Sequence, residues 1–409
     1  MDDSVIVGID VGTTKVCALV GRVEERDRLR ILGLGVEPSR GIRKGAVVDL
    51  ASAAQTIRHA VDKAERTSGL EIKSALVSLA GAQISALNSK GVVGISGRAI
   101  TEDDVARAMD AARAVAIPHN QEIIHIIQRN FTVDGQEGIR SPIGMHGYRL
   151  EVETHIITAA TSTVENLRQC VADAGVEVTQ FVLAPLAAAE MSLTDSEREM
   201  GVVACDIGSG TTDIAIYIEG DVWHTAILPV GGGHVTSDIA HGLRLSTEIA
   251  ENIKLKHAHT RIDDVPAEEY FTVQTFGEEG PLQISRQDLA HITGARVEEI
   301  FSLVQQEIKR SGYDGLLPAG MVLTGGTALL PGIRQVAHEV LGMPVRIAQP
   351  TDLIGMTDQL SSPAFATAVG LLKWAILMNE IAIQPGGRRV FSGGMNWDKI
   401  KDVLRRLLP

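Results

Sequence analysis

Asp10-Val11-Gly12-Thr13-Thr14-Lys15 and Asp206-Ile207-Gly208-Ser209-Gly210-Thr211-Thr212 each set a carboxylate beside small residues that end in paired threonines. The N–H groups and hydroxyls of such a turn can converge on phosphate oxygens. Lys15 adds a cation to the first copy, and Asp10 and Asp206 are suited to hold Mg2+, mainly through water. Asp206 and Asp213 are also the residues that could orient an attacking water. One Gly-Thr-Thr turn alone is equally well an ordinary hairpin. Two copies 196 residues apart, each led by Asp at the end of an apolar run, read as a pair of phosphate clamps.

The elements around these turns alternate between strand and helix periodicity. Val5–Gly21 and Val202–Gly220 both read as β-hairpins, and their recurrence implies two halves of similar fold facing each other. Strands are expected over Leu29–Val36, Ile72–Ala80 and Met321–Leu323. Helices are expected over Asp49–Thr67, Thr163–Ala174 with Thr163 as cap, Thr236–Gly242, Thr247–His257, Arg286–Ser311 and Pro363–Glu380. Residues 81–162 break the alternation. They hold a strand at Gly91–Ser96, a helix capped by Thr101 with Asp103 and Asp104 in its first turn, and two long β runs at Ile123–Val133 and Tyr148–Ala159, which read as an inserted small α/β unit.

Composition narrows the class. The 409 residues are 44% hydrophobic and 22% charged, enough for a large core and more than one domain. The 41 glycines point to many tight turns. Net charge is −13, which argues against wholesale nucleic-acid binding. Cys17, Cys170 and Cys205 are scattered and read as buried free thiols. The first ten residues do not resemble a signal peptide and no run is long enough to span a bilayer, so a cytoplasmic location is expected.

The last 26 residues differ. Residues 384–396 are Gly-rich and read as a flexible linker. Beyond it, Trp397, Ile400, Val403, Leu404, Leu407 and Leu408 fall at helical spacing, with Lys399, Lys401, Arg405 and Arg406 on the other side or the flanks; residues 385–409 carry net +4. Such a helix can be a membrane anchor, a partner-binding helix or part of the core, and the linker argues against the core. Lipid burial and basic contacts give a gross gain of roughly 8–10 kcal/mol, much of it offset by the cost of ordering the helix. A single tail therefore holds weakly, and an array holds firmly.

The paired turns resemble the two phosphate motifs of the actin superfamily, and further segments follow in that superfamily's order. Pro229-Val230-Gly231-Gly232-Gly233-His234 is similar to its second-lobe nucleotide loop. Ala250-Glu251-Asn252-Ile253-Lys254 resembles the helix whose Glu and Lys reach ribose and adenine, though such an i,i+3 pair is by itself often only solvated. Thr324-Gly325-Gly326-Thr327 through Gly332 resembles the adenosine motif. The insertion after Ala80, the segment His234–Ala240, the Glu251–Lys254 helix and the basic tail resemble the FtsA family of bacterial cell-division proteins over essentially the whole chain.

That resemblance implies an α/β, actin-like two-lobed fold of duplicated halves. Residues 1–80 and 163–195 form the first-lobe core, 81–162 the inserted subdomain, 196–231 and 312–383 the second-lobe core, 232–311 its outer subdomain, 384–396 the linker and 397–409 the amphipathic helix. It implies ATP and Mg2+ as ligands, self-association into filaments, and tethering of the tubulin-like FtsZ to anionic lipids on the cytoplasmic side of the inner membrane at the division site. The FtsZ C-terminal peptide would sit on residues 232–311, where Arg296 is a candidate contact with Glu299 three residues on, and later division proteins would meet the insertion. Ala184 stands where many actin-like ATPases carry a water-orienting Glu or Gln, so hydrolysis is expected to be slow. The alternatives within the superfamily are a PilM-like pilus-assembly protein and a small-molecule kinase.

Overall fold

A computed structural model describes residues 5–24, 28–274 and 281–382. The linker and the Trp397–Leu408 helix therefore lie outside the described residues. Two sheets of matching topology dominate. In the first, Leu29–Pro38, Lys15–Val23 and Val5–Val11 form an antiparallel meander, continued by Ser74–Leu79 and Glu177–Leu183 in parallel. In the second, Asp221–Leu228, Thr212–Ile218 and Val202–Ile207 repeat the meander, continued in parallel by Met321–Thr324 and Val345–Ile347. The recurrence in the sequence is thus a duplication of sheet order. A late strand, Leu353–Gly355, adds itself in parallel to Leu29–Pro38 and completes the first sheet from the far end of the chain.

The strands are apolar because both faces of each sheet are covered. Helix Leu50–Ser68 buries Ile57, Ala60, Val61 and Ala64 against the first sheet, and Asp49 caps it by accepting from Ser52 N–H at 3.2 Å. Helix Ala366–Ala382 covers the opposite face, where Leu372 and Val369 meet Leu19 and Ile31. Helix Ala184–Ser192 lies between the sheets, with Leu186 and Ala189 in one core with Val202, Ala204 and Ala215. The second lobe's core gathers around Phe301 and Val304 of helix Arg286–Ser311. Cys17, Cys170 and Cys205 are buried and free.

The segment after Ala80 forms its own sheet, Ile84–Gly94, Arg149–Ala160, Gln121–Val133 and Gln136–Ile139, all antiparallel, with helix Glu102–Arg113 laid on it. Thr101 caps that helix and Asp104 returns the bond to the Thr101 N–H at 2.9 Å. Its first strand begins at Ile84 rather than Gly91, because polar Ser85 and the consecutive Asn88, Ser89 and Lys90 interrupt an edge strand and mask the apolar signal.

Three helix expectations are corrected. Helix Thr161–Asp173 starts two residues before Thr163 and has no side-chain cap; strand Arg149–Ala160 runs straight into it, and the buried Thr163 hydroxyl donates to Gln83 instead. The helix expected at Thr236 starts at Gly232. The helix expected from Pro363 opens with a single 3-10 turn, Pro363–Phe365, before Ala366.

Candidate functional site

The two turns end equivalent strands and close in the same way. Gly12 N–H donates to Lys15 C=O and Gly208 N–H to Thr211 C=O, each at 3.0 Å. They meet across the cleft: a Cβ added to Gly210 would lie 2.6 Å from Thr13 Oγ1. Thr14 C=O accepts from Ser39 N–H at 2.9 Å, and the Thr13 hydroxyl accepts from Gly45 N–H at 3.2 Å.

The triple glycine acts as a helix start rather than a loop. Gly231 is the N-cap of helix Gly232–Gly242, and the N–H groups of Gly232 and Gly233 donate to Gly208 C=O (2.9 Å) and Ser209 C=O (2.8 Å). Bulk is excluded here, since a Cβ on Gly231 would lie 2.6 Å from Gly208 O and one on Gly232 2.3 Å from Thr327 Oγ1. Thr327 in turn donates to Gly208 C=O at 2.9 Å. Gly325, at φ 88°, presses against Asp206 and Ile207 so closely that a Cβ would lie 2.3 Å from Asp206 Oδ1. Gly326 beside it faces open space, with only Ala364 within 4 Å of such a Cβ.

Glu251 and Lys254 project from helix Thr247–His257 towards the same helix start. Lys254 is buried, pairs with Glu251 at 2.7 Å, and donates to Gly232 C=O (3.2 Å) and Thr236 Oγ1 (2.9 Å). The i,i+3 pair is thus tied to the first turns of the Gly232 helix. Arg296, on helix Arg286–Ser311, binds the far side of the Gly232–Gly242 helix through Asp238 (2.5 Å) and its own neighbour Glu299 (2.5 Å).

The carboxyls have the electrostatics of a cation site. Burial raises Asp10 above its usual range, opposed by Lys15 and by the Ser78 hydroxyl, which donates to it at 2.9 Å. Burial pushes Asp206 up to about 6, with the Asp10 charge adding to it and a bond from Thr367 (2.9 Å) opposing it. Asp213 is raised well above its usual range by burial and then by Asp206, and its Oδ1 is buried without a hydrogen-bond partner among the described residues. A buried, unpartnered oxygen beside two further carboxyls fits a divalent cation. Among the described residues, no three His, Cys, Asp or Glu side chains converge on one point, so such an ion would also need water or phosphate oxygens.

The Lys15 ammonium donates to Ala364 C=O and lies 4.6 Å from the Phe365 ring centroid. Ser78 and Thr367, which the sequence does not single out, position Asp10 and Asp206 from a strand and a helix far along the chain. A polar residue in each otherwise apolar run is the only signal for them. The short hairpin at Ile42–Val47, equally unmarked in the sequence, reaches Thr13.

Two lobes of matching sheet order, closing on paired Asp-led turns, define an actin-like fold. The PilM–PilN type IV pilus biogenesis complex shares it at TM-score 0.65 and 16% identity, covering 90% of this chain and 97% of that one. MreB 5 of Spiroplasma citri bound to AMPPNP does so at 0.57 and 16% (93% and 98% covered), and the MamK double helical filament at 0.51 and 11% (91% and 98%). Sequence relationships are much nearer. The family model for cell division protein FtsA matches residues 203–370, and the model for the SHS2 domain inserted in FtsA matches residues 81–158. Cell division protein FtsA of Pseudomonas aeruginosa is 45% identical over 371 residues, 91% of this chain and 89% of that protein. That of Bacillus subtilis is 39% identical over 376 residues, 91% and 84%. The chain belongs to the FtsA family of actin-like cell-division proteins.

Proposed function

We propose that this cell-division protein binds ATP with Mg2+ between its lobes, assembles into filaments at the division site, and anchors FtsZ to the cytoplasmic face of the inner membrane. The observation that carries the nucleotide reading is the meeting of two phosphate-type turns at Thr13 and Gly210, with the Gly232 helix start seated on the second. Thr13, Thr14 and Ser209–Thr211 present N–H and hydroxyl donors to phosphate, Gly12 and Gly208 close the turns that carry them, and the helix start adds its positive dipole end. Asp10 and Asp206 would hold Mg2+, mainly through water, and the ion when bound would neutralise phosphate charge. Glu251 and Lys254 face the ribose and adenine side, and Gly325, Gly326 and Thr327 let the backbone lie along the base. The nucleotide-bound state of MreB 5 and the filament formed by MamK, proteins of the same fold, support nucleotide binding and self-association.

Ala184 is buried at the start of its helix and offers no polar group to orient water, so hydrolysis is slow and the nucleotide acts chiefly as a conformational ligand. The FtsZ peptide docks on residues 232–311, where an acidic group can displace Glu299 from Arg296. The inserted sheet meets later division proteins. Trp397, Ile400, Val403, Leu404, Leu407 and Leu408 enter the lipid surface while Lys401 and Arg405 contact anionic headgroups.

Co-sedimentation with anionic vesicles and Mg-ATP tests this, comparing the full chain with one ending at Ile383. Pelleting of the full chain alone is the expected result. Recovery of both chains in the supernatant would overturn the tether and return the tail to partner docking.

A further inference from the structure

The hairpin of Ile42–Arg43 and Ala46–Val47 turns through Lys44 (φ 50°) and Gly45 (φ 74°), both in the left-handed region that a two-residue turn of this kind needs. It sits where the phosphate turns meet. Gly45 N–H donates to Thr13 Oγ1 at 3.2 Å, and a Cβ on Gly210 would lie 3.0 Å from Lys44 Cα and 3.2 Å from its N. First-lobe backbone is therefore laid directly on the second lobe's turn.

The charges of the cleft leave a role open at this point. Asp10, Asp206 and Asp213 are negative when ionised, and a triphosphate adds more negative charge. Lys15 is occupied by Ala364 C=O and the Phe365 ring, and Lys254 by Glu251. Lys44 is exposed and forms no ion pair among the described residues. Its charge is felt across the lobe boundary: His234, in the first turn of the Gly232 helix, is lowered by burial and then by Lys44. An ammonium carried on a turn touching both phosphate-type loops is within reach of a phosphate held between them.

We propose that Lys44 contacts the terminal phosphate of a nucleoside triphosphate in the cleft, so that the Ile42–Val47 hairpin distinguishes triphosphate from diphosphate. The inference rests on the nucleotide reading above. A cation at the terminal phosphate gains its partner only in the triphosphate state, so its removal changes the ratio of the two affinities rather than both alike.

Isothermal titration of the full chain with Mg-ATP and Mg-ADP gives the test, with Lys44→Ala, Lys44→Gln and Lys44→Arg beside the unaltered protein. Both neutral variants are expected to bind Mg-ATP about tenfold more weakly and Mg-ADP within about twofold of the parent, with Lys44→Arg recovering most of the loss. Equal weakening of both nucleotides, or no change in either, overturns the role of Lys44 while leaving nucleotide binding intact. An unaltered protein that binds neither nucleotide overturns the nucleotide reading itself.

Discussion

Asp206 shows what a buried carboxyl costs a folded chain. Its carboxyl is raised to about 6 by burial and by Asp10, so the native state holds a proton more tightly than the unfolded chain does. A raised acid stabilises fully below the unfolded value, and that contribution is lost as pH rises through about 6. At pH 7.5 the ligand-free protein therefore carries a cost on the order of 1–3 kcal/mol at this one residue. Asp206→Asn keeps an acceptor for the Thr367 hydroxyl and removes the charge. It should raise the ligand-free melting temperature at pH 7.5, with the difference closing near pH 5, while abolishing the shift produced by Mg-ATP. Thermal scans across pH with and without nucleotide read all three effects. Asp10 and Asp206 were legible from the sequence because each ends an apolar strand before a small-residue turn. Ser78 and Thr367 were not, because nothing local tells which polar residue of a distant element will face them.

Close backbone approach sets the limits of the elements. Gly370, in helix Ala366–Ala382, faces helix Ala184–Ser192 so closely that a Cβ would lie 1.8 Å from Ala187 O. Gly370→Ala must push apart the helix pair that fills the space between the sheets and should cost about 3 kcal/mol or more. Gly69 serves a different purpose as the left-handed C-cap of helix Leu50–Ser68, with nothing within 4 Å of a Cβ, so Gly69→Ala should cost only about 1 kcal/mol. Urea unfolding of the two variants compares them directly. The same contrast explains which boundaries could be read. Thr101 and Asp104 form a cap from residues three apart, which sequence displays. Gly232 and Gly233 are poor helix formers by propensity, and only their bonds to Gly208 and Ser209 on another segment make them a first turn.

Across the whole molecule, the inserted sheet is fastened to the second lobe by a polar seam. Arg129 is buried and donates to Val222 C=O (3.2 Å), Trp223 C=O and Asn88 Oδ1 (2.9 Å). His155 bonds Asn88 at 2.8 Å and Thr225 at 2.9 Å, and burial keeps its imidazole neutral. Arg129→Ala takes a buried donor from the Val222 and Trp223 carbonyls, while Asn88 keeps its bond to His155. It should cost about 2–4 kcal/mol and raise hydrogen exchange in residues 84–94 and 221–228. The exposed Arg140, paired with Glu199 at 2.6 Å, should cost under about 1 kcal/mol when replaced by Ala. The duplicated halves and the insertion were legible at this scale because their periodicities break at residue 81 and recur at 202. The seam was not, since Arg129 and His155 look like ordinary polar positions of a half-exposed strand until the partner strand is known.

The return of the chain to its first sheet bears on how the protein is made. Ile6, Leu19, Leu29 and Ile31 are covered by Leu360, Ala366, Val369 and Leu372, and the sheet's last strand is Leu353–Gly355. During translation those early strands leave the ribosome long before their cover exists, by on the order of half a minute at typical elongation rates. Throughout that interval an apolar sheet face stands open on the nascent chain, a surface that a holdase can shield and that a neighbouring polysome can entangle.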